Sequence, residues 1–248
     1  MTSGRRSGSG IRLSDRTMRH DNDPSEFVKG FCSMKAWLRS IRTPKSDVKL
    51  SLKIINSILI LLLGMAMGVL SKWLDNTGIN DAIWWQRILG MLDLRNVFSE
   101  FAIWLLMALA ISVYSSSPVR AGLNVFLFFA GMCSSYHLYT IVFAGFNPQR
   151  YMMIWYGFTL LSPVLAFICW YARGETMISL VIAMLILAVM MSACFAIGFL
   201  YFAVSRIINV MIFFGSVAIL YSKPKQIIIS LFGAFILSNA FAMLMLIW

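Results

Sequence analysis

The sequence predicts an all-α fold, a polytopic transmembrane helical bundle of about seven spans with a cytoplasmic N-terminus. Three observations predict it. Of 248 residues, 60% are hydrophobic and only 12% are charged, against roughly 45–50% and about 25% in soluble domains. Seven apolar runs approach the roughly 20 residues that a helix needs to cross about 30 Å of hydrocarbon. Basic residues also gather ahead of the first run: residues 1–53 hold 12 Lys and Arg against 5 Asp and Glu. A soluble core of this size cannot bury so much apolar surface, and the same composition excludes disordered, collagen-like and disulfide-rich secreted chains.

From the N-terminus, residues 1–22 read as a disordered basic tail. Met1-Thr-Ser-Gly-Arg-Arg-Ser-Gly-Ser-Gly10 lacks the apolar centre of a secretory signal. Arg5 and Arg6 are followed by no apolar stretch, so they do not read as an export signal. A basic segment ahead of a span meets anionic lipid, and nucleic acid is not an expected partner. Residues 23–52 form a cytoplasmic amphipathic and juxtamembrane segment. Asp23 can cap a helix, Pro24 suits its first position, and Glu26 completes a capping box. Phe27, Val28, Phe31, Met34, Leu38 and Ile41 recur at helical spacing, flanked by Lys29, Lys35, Arg39 and Arg42, with Trp37 as an anchor. That is the pattern of a helix in the headgroup plane, with docking on the protein's own loops or on a partner as the alternative. Cys32 near this face is an acylation candidate or a plain buried thiol.

The transmembrane domain occupies residues 53–248, with spans at about 54–73, 97–114, 121–144, 151–171, 177–202, 207–221 and 227–248. Backbone amides in lipid must be satisfied internally, so runs this long are expected to be helices; the alternation of a barrel is absent. The fifth span is overlong and the sixth short, with Ser205 and Arg206 as the polar break and a boundary displaced toward Gly198. The first outer loop, residues 74–96, is the longest connection. Its stretch from Asp81 to Arg95 lines up Trp84, Trp85, Ile88, Met91 and Leu92, as an interfacial anchor or as a lid over an outward cavity. With the N-terminus inside, the cytoplasmic segments collect 16 basic residues against 5 opposite; the tail decides this positive-inside vote.

Cys32, Cys133, Cys169 and Cys194 show no C-x-x-C spacing, and only His20 and His137 could join them, so no metal, no cofactor and no disulfide is expected. Zinc-protease, P-loop, serine-hydrolase and dinucleotide motifs are missing. The only aspartates after Asp47 are Asp75, Asp81 and Asp93, all in the outer loop. Polar groups inside spans are then the functional candidates. Glu100 lies one turn inside the second span and His137 within the third, both in the outer half of the membrane if the spans touch. Ser134, Tyr136, Tyr139 and Thr140 share that depth, and Arg150, Trp155 and Tyr156 enter from the fourth span. Together they suggest a polar, aromatic-lined pocket open to the outside, where a carboxylate and an imidazole trade a proton or orient a ligand. The plainer reading pairs Glu100 with Arg95 or Arg150 and hydrogen-bonds His137 to a neighbouring helix. Gly64 and Gly68 form a G-x-x-x-G for close helix approach, within the chain or in a homodimer. Ser162-Pro163 predicts a kink. Asn124, Asn209 and Asn239 are expected to bond between helices.

Five stretches stand out together: Gly68-Val-Leu-Ser-Lys-Trp-Leu-Asp75, Asp81-Ala-Ile-Trp-Trp-Gln86, Val119-Arg-Ala-Gly-Leu-Asn-Val-Phe-Leu-Phe128, Ser135-Tyr-His-Leu-Tyr-Thr140 and Tyr151-Met-Met-Ile-Trp-Tyr156. Over about residues 50–248 they resemble an uncharacterised family of small polytopic bacterial membrane proteins. The resemblance implies a multi-pass protein of the bacterial cytoplasmic membrane and brings no site residues. The expected function is a transport or permease-type component for a small polar solute, acting with a partner subunit or as a homo-oligomer. A membrane-embedded enzyme on lipid or envelope substrate, with Glu100 and His137 as acid and base, is the alternative. So is a non-catalytic accessory or scaffold subunit. No ATP-binding motif is present, so ATP-driven transport would need another subunit.

Overall fold

Backbone groups that cannot reach water must pair with one another, and the apolar runs meet that demand almost entirely as helices. The computed structural model describes residues 24–44, 49–78, 83–197 and 201–247. Its helices are α1 (Pro24–Ile41), α2 (Leu50–Asn76), α3 (Trp84–Met91), α4 (Leu94–Ser99), α5 (Phe101–Tyr114) and α6 (Pro118–Tyr139). After a π turn at Thr140–Ala144 come α7 (Gln149–Trp170), a 3-10 turn (Tyr171–Arg173), α8 (Met177–Cys194), α9 (Ile207–Leu220) and α10 (Pro224–Ile247). The described residues divide into two compact units that part between Trp37 and Leu38. In the first, α1 starts at Pro24, and Cys32, Met34 and Trp37 are exposed; the tail and the cap at Asp23 lie outside the described residues. In the second, Leu38 and Ile41 pack with Ala121, Trp170 and Tyr171.

Among the described residues, five helices are long and apolar enough to cross a membrane: α2, α6 with its π turn, α7 with its 3-10 turn, α8, and α10 as far as Leu244. The other two expected spans are shorter. α5 and α9 have 14 residues each, about 21 Å at 1.5 Å per residue. The run from residue 97 to 114 is broken rather than continuous. α4 stops at Ser99, Glu100 is extended (φ −90°, ψ 156°), and α5 starts at Phe101. Glu100 leaves the helix as its carboxylate reaches Arg206. The run from 177 to 202 also corrects the expectation. α8 ends at Cys194, ahead of Gly198, which lies outside the described residues. Strands β1 (Ala196–Ile197) and β2 (Phe202–Ala203) then pair antiparallel, Ala196 opposite Ala203 and Ile197 opposite Phe202. That pairing gives these four residues backbone partners outside any helix.

Polar staples define two ends. At the end where α2 begins, Arg42 donates to the carbonyls of Val113 and Trp170, which terminate α5 and α7. Arg120 donates there to the Lys53 carbonyl and to Ser57 Oγ. Lys223 reaches Glu175 at 2.7 Å, and Gln226 reaches the Gly174 carbonyl at 3.1 Å. Helix starts are set locally. Ser117 Oγ accepts from the Arg120 amide with Pro118 at the first position, and Thr176 Oγ1 accepts from the Ser179 amide. At the far end, Arg206 ahead of α9 meets Glu100 ahead of α5. The seven helices from α2 and α5 onward therefore alternate in direction.

The tightest seam joins α2 to α6. A Cβ on Gly131 would sit 2.6 Å from the Leu61 carbonyl oxygen, and one on Gly64 or Gly68 closer still to those of Phe128 and Met132. Only glycine fits there. Ser57 Oγ donates to Asn124 Oδ1 at 2.8 Å, and Asn124 Nδ2 to Ser115 Oγ at 3.1 Å, so Asn124 bonds between helices. Asn239 does not: its amide donates to Phe235 of its own helix. Pro163 lies inside α7 and supplies no amide to the Thr159 carbonyl; the Ser162 hydroxyl donates to that carbonyl at 2.8 Å instead.

Candidate functional site

The structure does not bring Glu100 and His137 together. Glu100 sits at the α4–α5 break and pairs with Arg206, whose guanidinium also holds Asp93. Asp93 adopts a left-handed backbone, φ 50°, the conformation that short polar side chains tolerate best after glycine. Hydrogen bonding to Glu100 raises the Arg206 pKa above its ordinary value, with the charges of Glu100 and Asp93 adding to it. Asn209 Nδ2 points at Glu100 Oε2 from 3.5 Å, and the buried Asn209 Oδ1 has no partner among the described residues. Arg95 instead donates to the Thr77 carbonyl.

His137 joins α6 to the start of α7. Its Nε2 lies 2.9 Å from Asn147 Oδ1 and its Nδ1 lies 2.7 Å from the Tyr156 hydroxyl. An amide oxygen only accepts, so Nε2 donates to Asn147, while Nδ1 shares the second hydrogen bond with the Tyr156 hydroxyl. Both ring nitrogens are thereby occupied. Of the other expected pocket residues, Ser134 and Arg150 are exposed, and Tyr139 packs on Phe143 with centroids 4.6 Å apart. Buried Thr140 turns its hydroxyl back to the Tyr136 carbonyl. An acid–base pair of Glu100 and His137 is not assembled.

Tyr136 belongs to a different cluster. Its hydroxyl donates to Asp75 Oδ2 at 3.1 Å, and Lys72 Nζ lies 3.7 Å from the same oxygen. Lys72 is only 7% exposed, its ammonium 5.4 Å from the ring centroids of both Tyr136 and Phe146, a cation–π distance. Ser99 Oγ reaches Asp75 Oδ1 at 3.4 Å. The expectation from sequence passed over Lys72 and Asp75. Two opposite charges one turn apart, closing an otherwise apolar run, were the available signal. Above them Trp85 stacks on Trp73, centroids 6.1 Å apart and planes 17° apart, while Trp84 is exposed.

The space in the bundle is apolar. A cavity of about 290 Å³ lies between α5, α6, α7 and α8, lined by residues that include Leu105, Ala108, Val125, Leu165 and Ile186. Along α5 the lining runs from Phe101 to Ser112, about 16 Å at 1.5 Å per residue. Phe101 and Trp155 stack at its far end, centroids 4.7 Å and planes 8° apart. Its two hydroxyls are internally satisfied, Ser112 donating to the Ala166 carbonyl and Ser162 to that of Thr159. The cavity opens sideways. α7 packs along α6 and α8 along α10, whereas α7 and α8 meet only sparsely, and the lining residues Phe158, Leu165, Leu185 and Val189 are all exposed. Such a surface suits a hydrocarbon chain and offers nothing to a polar solute.

Among the described residues no three His, Cys, Asp or Glu side chains gather as a metal site. No protein-family model matches the chain, and no curated protein and no solved structure matches it.

Proposed function

We propose that this chain is a transport-type protein of the bacterial cytoplasmic membrane whose cargo carries an apolar chain. In this reading all seven alternating helices cross, with the N-terminus inside, and the short pair α5 and α9 cross where the bilayer is thin. The resemblance over residues 50–248 and the basic residues ahead of α2 support that placement. The cavity between α5 and α8 carries the functional part. It is apolar, about 290 Å³, and open on the flank between two helices long enough to span, so its cargo arrives from the bilayer. A small polar solute loses its support, because Glu100 and His137 are each engaged elsewhere. Since the chain carries no ATP-binding motif, ATP-driven movement would come from a partner subunit.

Tryptophan quenching tests the reading. The full chain is placed in nanodiscs of phosphatidylcholine containing a rising fraction of brominated acyl chains. The Trp155 signal is read as the difference between the native protein and Trp155→Phe. Saturable quenching, abolished by Ala108→Phe, supports an acyl chain in the cavity. Quenching that rises in proportion to bromine and ignores Ala108→Phe overturns it.

A further inference from the structure

We propose that the cavity selects an anionic lipid of the surrounding bilayer, with one acyl chain between α5 and α8 and the acidic headgroup on Arg173. This rests on the cavity reading above and names the class of its occupant.

The first support is position. Cys169 lines the cavity on α7, and Arg173 follows one turn later, on the 3-10 turn that packs against both α5 and α8. That turn follows the cavity wall at the end where α2 begins, and Ala172 within it is fully buried. A chain entering beside it has about 16 Å of apolar wall before the Phe101–Trp155 stack. One leaflet of a roughly 30 Å hydrocarbon layer is about that deep.

The second support is charge. Arg173 is half-buried, its guanidinium 5.4 Å from the Tyr114 ring centroid. Among the described residues no carboxylate pairs with it, for the nearby Glu175 is held by Lys223. Arg42 holds the Val113 carbonyl and lies over Trp170, while Arg173 lies over Tyr114, so both cations sit at the same ends of α5 and α7; burial lowers the Arg42 pKa and the charge of Arg173 lowers it further. Arg42 cannot swing away, since its N–H groups hold the carbonyls of Val113 and Trp170 and its guanidinium lies 4.3 Å over the Trp170 ring. Two guanidinium groups at one end of an apolar cavity, Arg42 held and Arg173 without a carboxylate, favour an acid that brings its own hydrocarbon. A neutral chain would leave the charges uncompensated; a free anion would leave the cavity unfilled.

The test compares brominated phosphatidylglycerol with brominated phosphatidylcholine of the same chains, each diluted into unlabelled phosphatidylcholine nanodiscs, with the Trp155 signal as readout. The glycerol lipid is expected to half-saturate at about a tenfold lower mole fraction, the ratio that one charge-assisted hydrogen bond supplies. Arg173→Gln should remove that ratio, Arg173→Lys should keep most of it, and Lys225→Gln, a charge lost from the same end, should leave it intact. Equal half-saturation by the two lipids, or a preference that survives Arg173→Gln, overturns the headgroup assignment while the cavity reading stands. Absence of saturable quenching by either lipid overturns both. A Trp155 that no lipid quenches in a protein that native mass spectrometry finds as two copies gives the cavity to a second copy instead.

Discussion

The two flanks of α6 and α7 teach opposite lessons about packing in one bundle. Where α2 meets α6, three glycines bring backbone against backbone so closely that not even a methyl group fits. Where α7 runs past α8, large apolar side chains line a space they do not fill. In lipid the hydrophobic effect does not draw helices together, so association rests on close contact and on hydrogen bonds between helices. The α2–α6 seam has both, in Gly64, Gly68 and Gly131 and in the Ser57–Asn124–Ser115 chain. The α7–α8 flank has neither, and lipid can occupy what protein leaves open.

The difference can be broken most severely from the tight side. Gly68→Leu drives a side chain into the Met132 carbonyl and should cost about 3 kcal/mol or more. It should be read as loss of monodisperse protein in detergent and a lowered thermal midpoint; an unchanged midpoint would show that the seam yields. Asn124→Ala tests the polar half of the same seam. It strips a partner from Ser57 and Ser115 and should cost about 1–2 kcal/mol; a double-mutant cycle with Ser57→Ala should show the two changes to be non-additive. The open side should respond least, and with the opposite sign. Ala108→Phe fills part of the cavity and should leave stability within about 1 kcal/mol of native or raise it, even as it abolishes quenching of Trp155. A Gly68-sized loss at Ala108 would mean that the cavity is packed after all.

Much of the fold was legible because apolar length speaks directly about helices in lipid. Gly64 and Gly68 were legible too, since small residues four apart on one face have few other uses in a span. The breaks were harder. Nothing between Val97 and Tyr114 marks Glu100 as a helix end, because its partner Arg206 stands 106 residues away. From Phe195 to Phe202 the chain is as apolar as a helix, yet hydropathy reports where a segment is buried and not its dihedral angles. The candidate site was the least legible part. Leu105, Leu165 and Ile186 are the same residue types as Leu187, Leu220 and Ile212 in the core, and whether a neighbour is missing belongs to the packing and to no single residue. Tyr136 lies at the far end, and its partners Lys72 and Asp75 lay outside the expected pocket.

The 106 residues that separate Glu100 from Arg206 also set a timetable. A ribosome adding 5–20 residues per second takes about 5–20 s to cover that interval. Throughout it, α5 is short, begins beside a carboxylate whose partner Arg206 is not yet made, and has no α9 to lean on. By then α2 and α6 already possess every residue of their seam, Gly131 included. The nascent chain therefore has a half that can settle early and a half that must wait. During that wait the Glu100 carboxylate lacks the guanidinium that holds it in the finished fold.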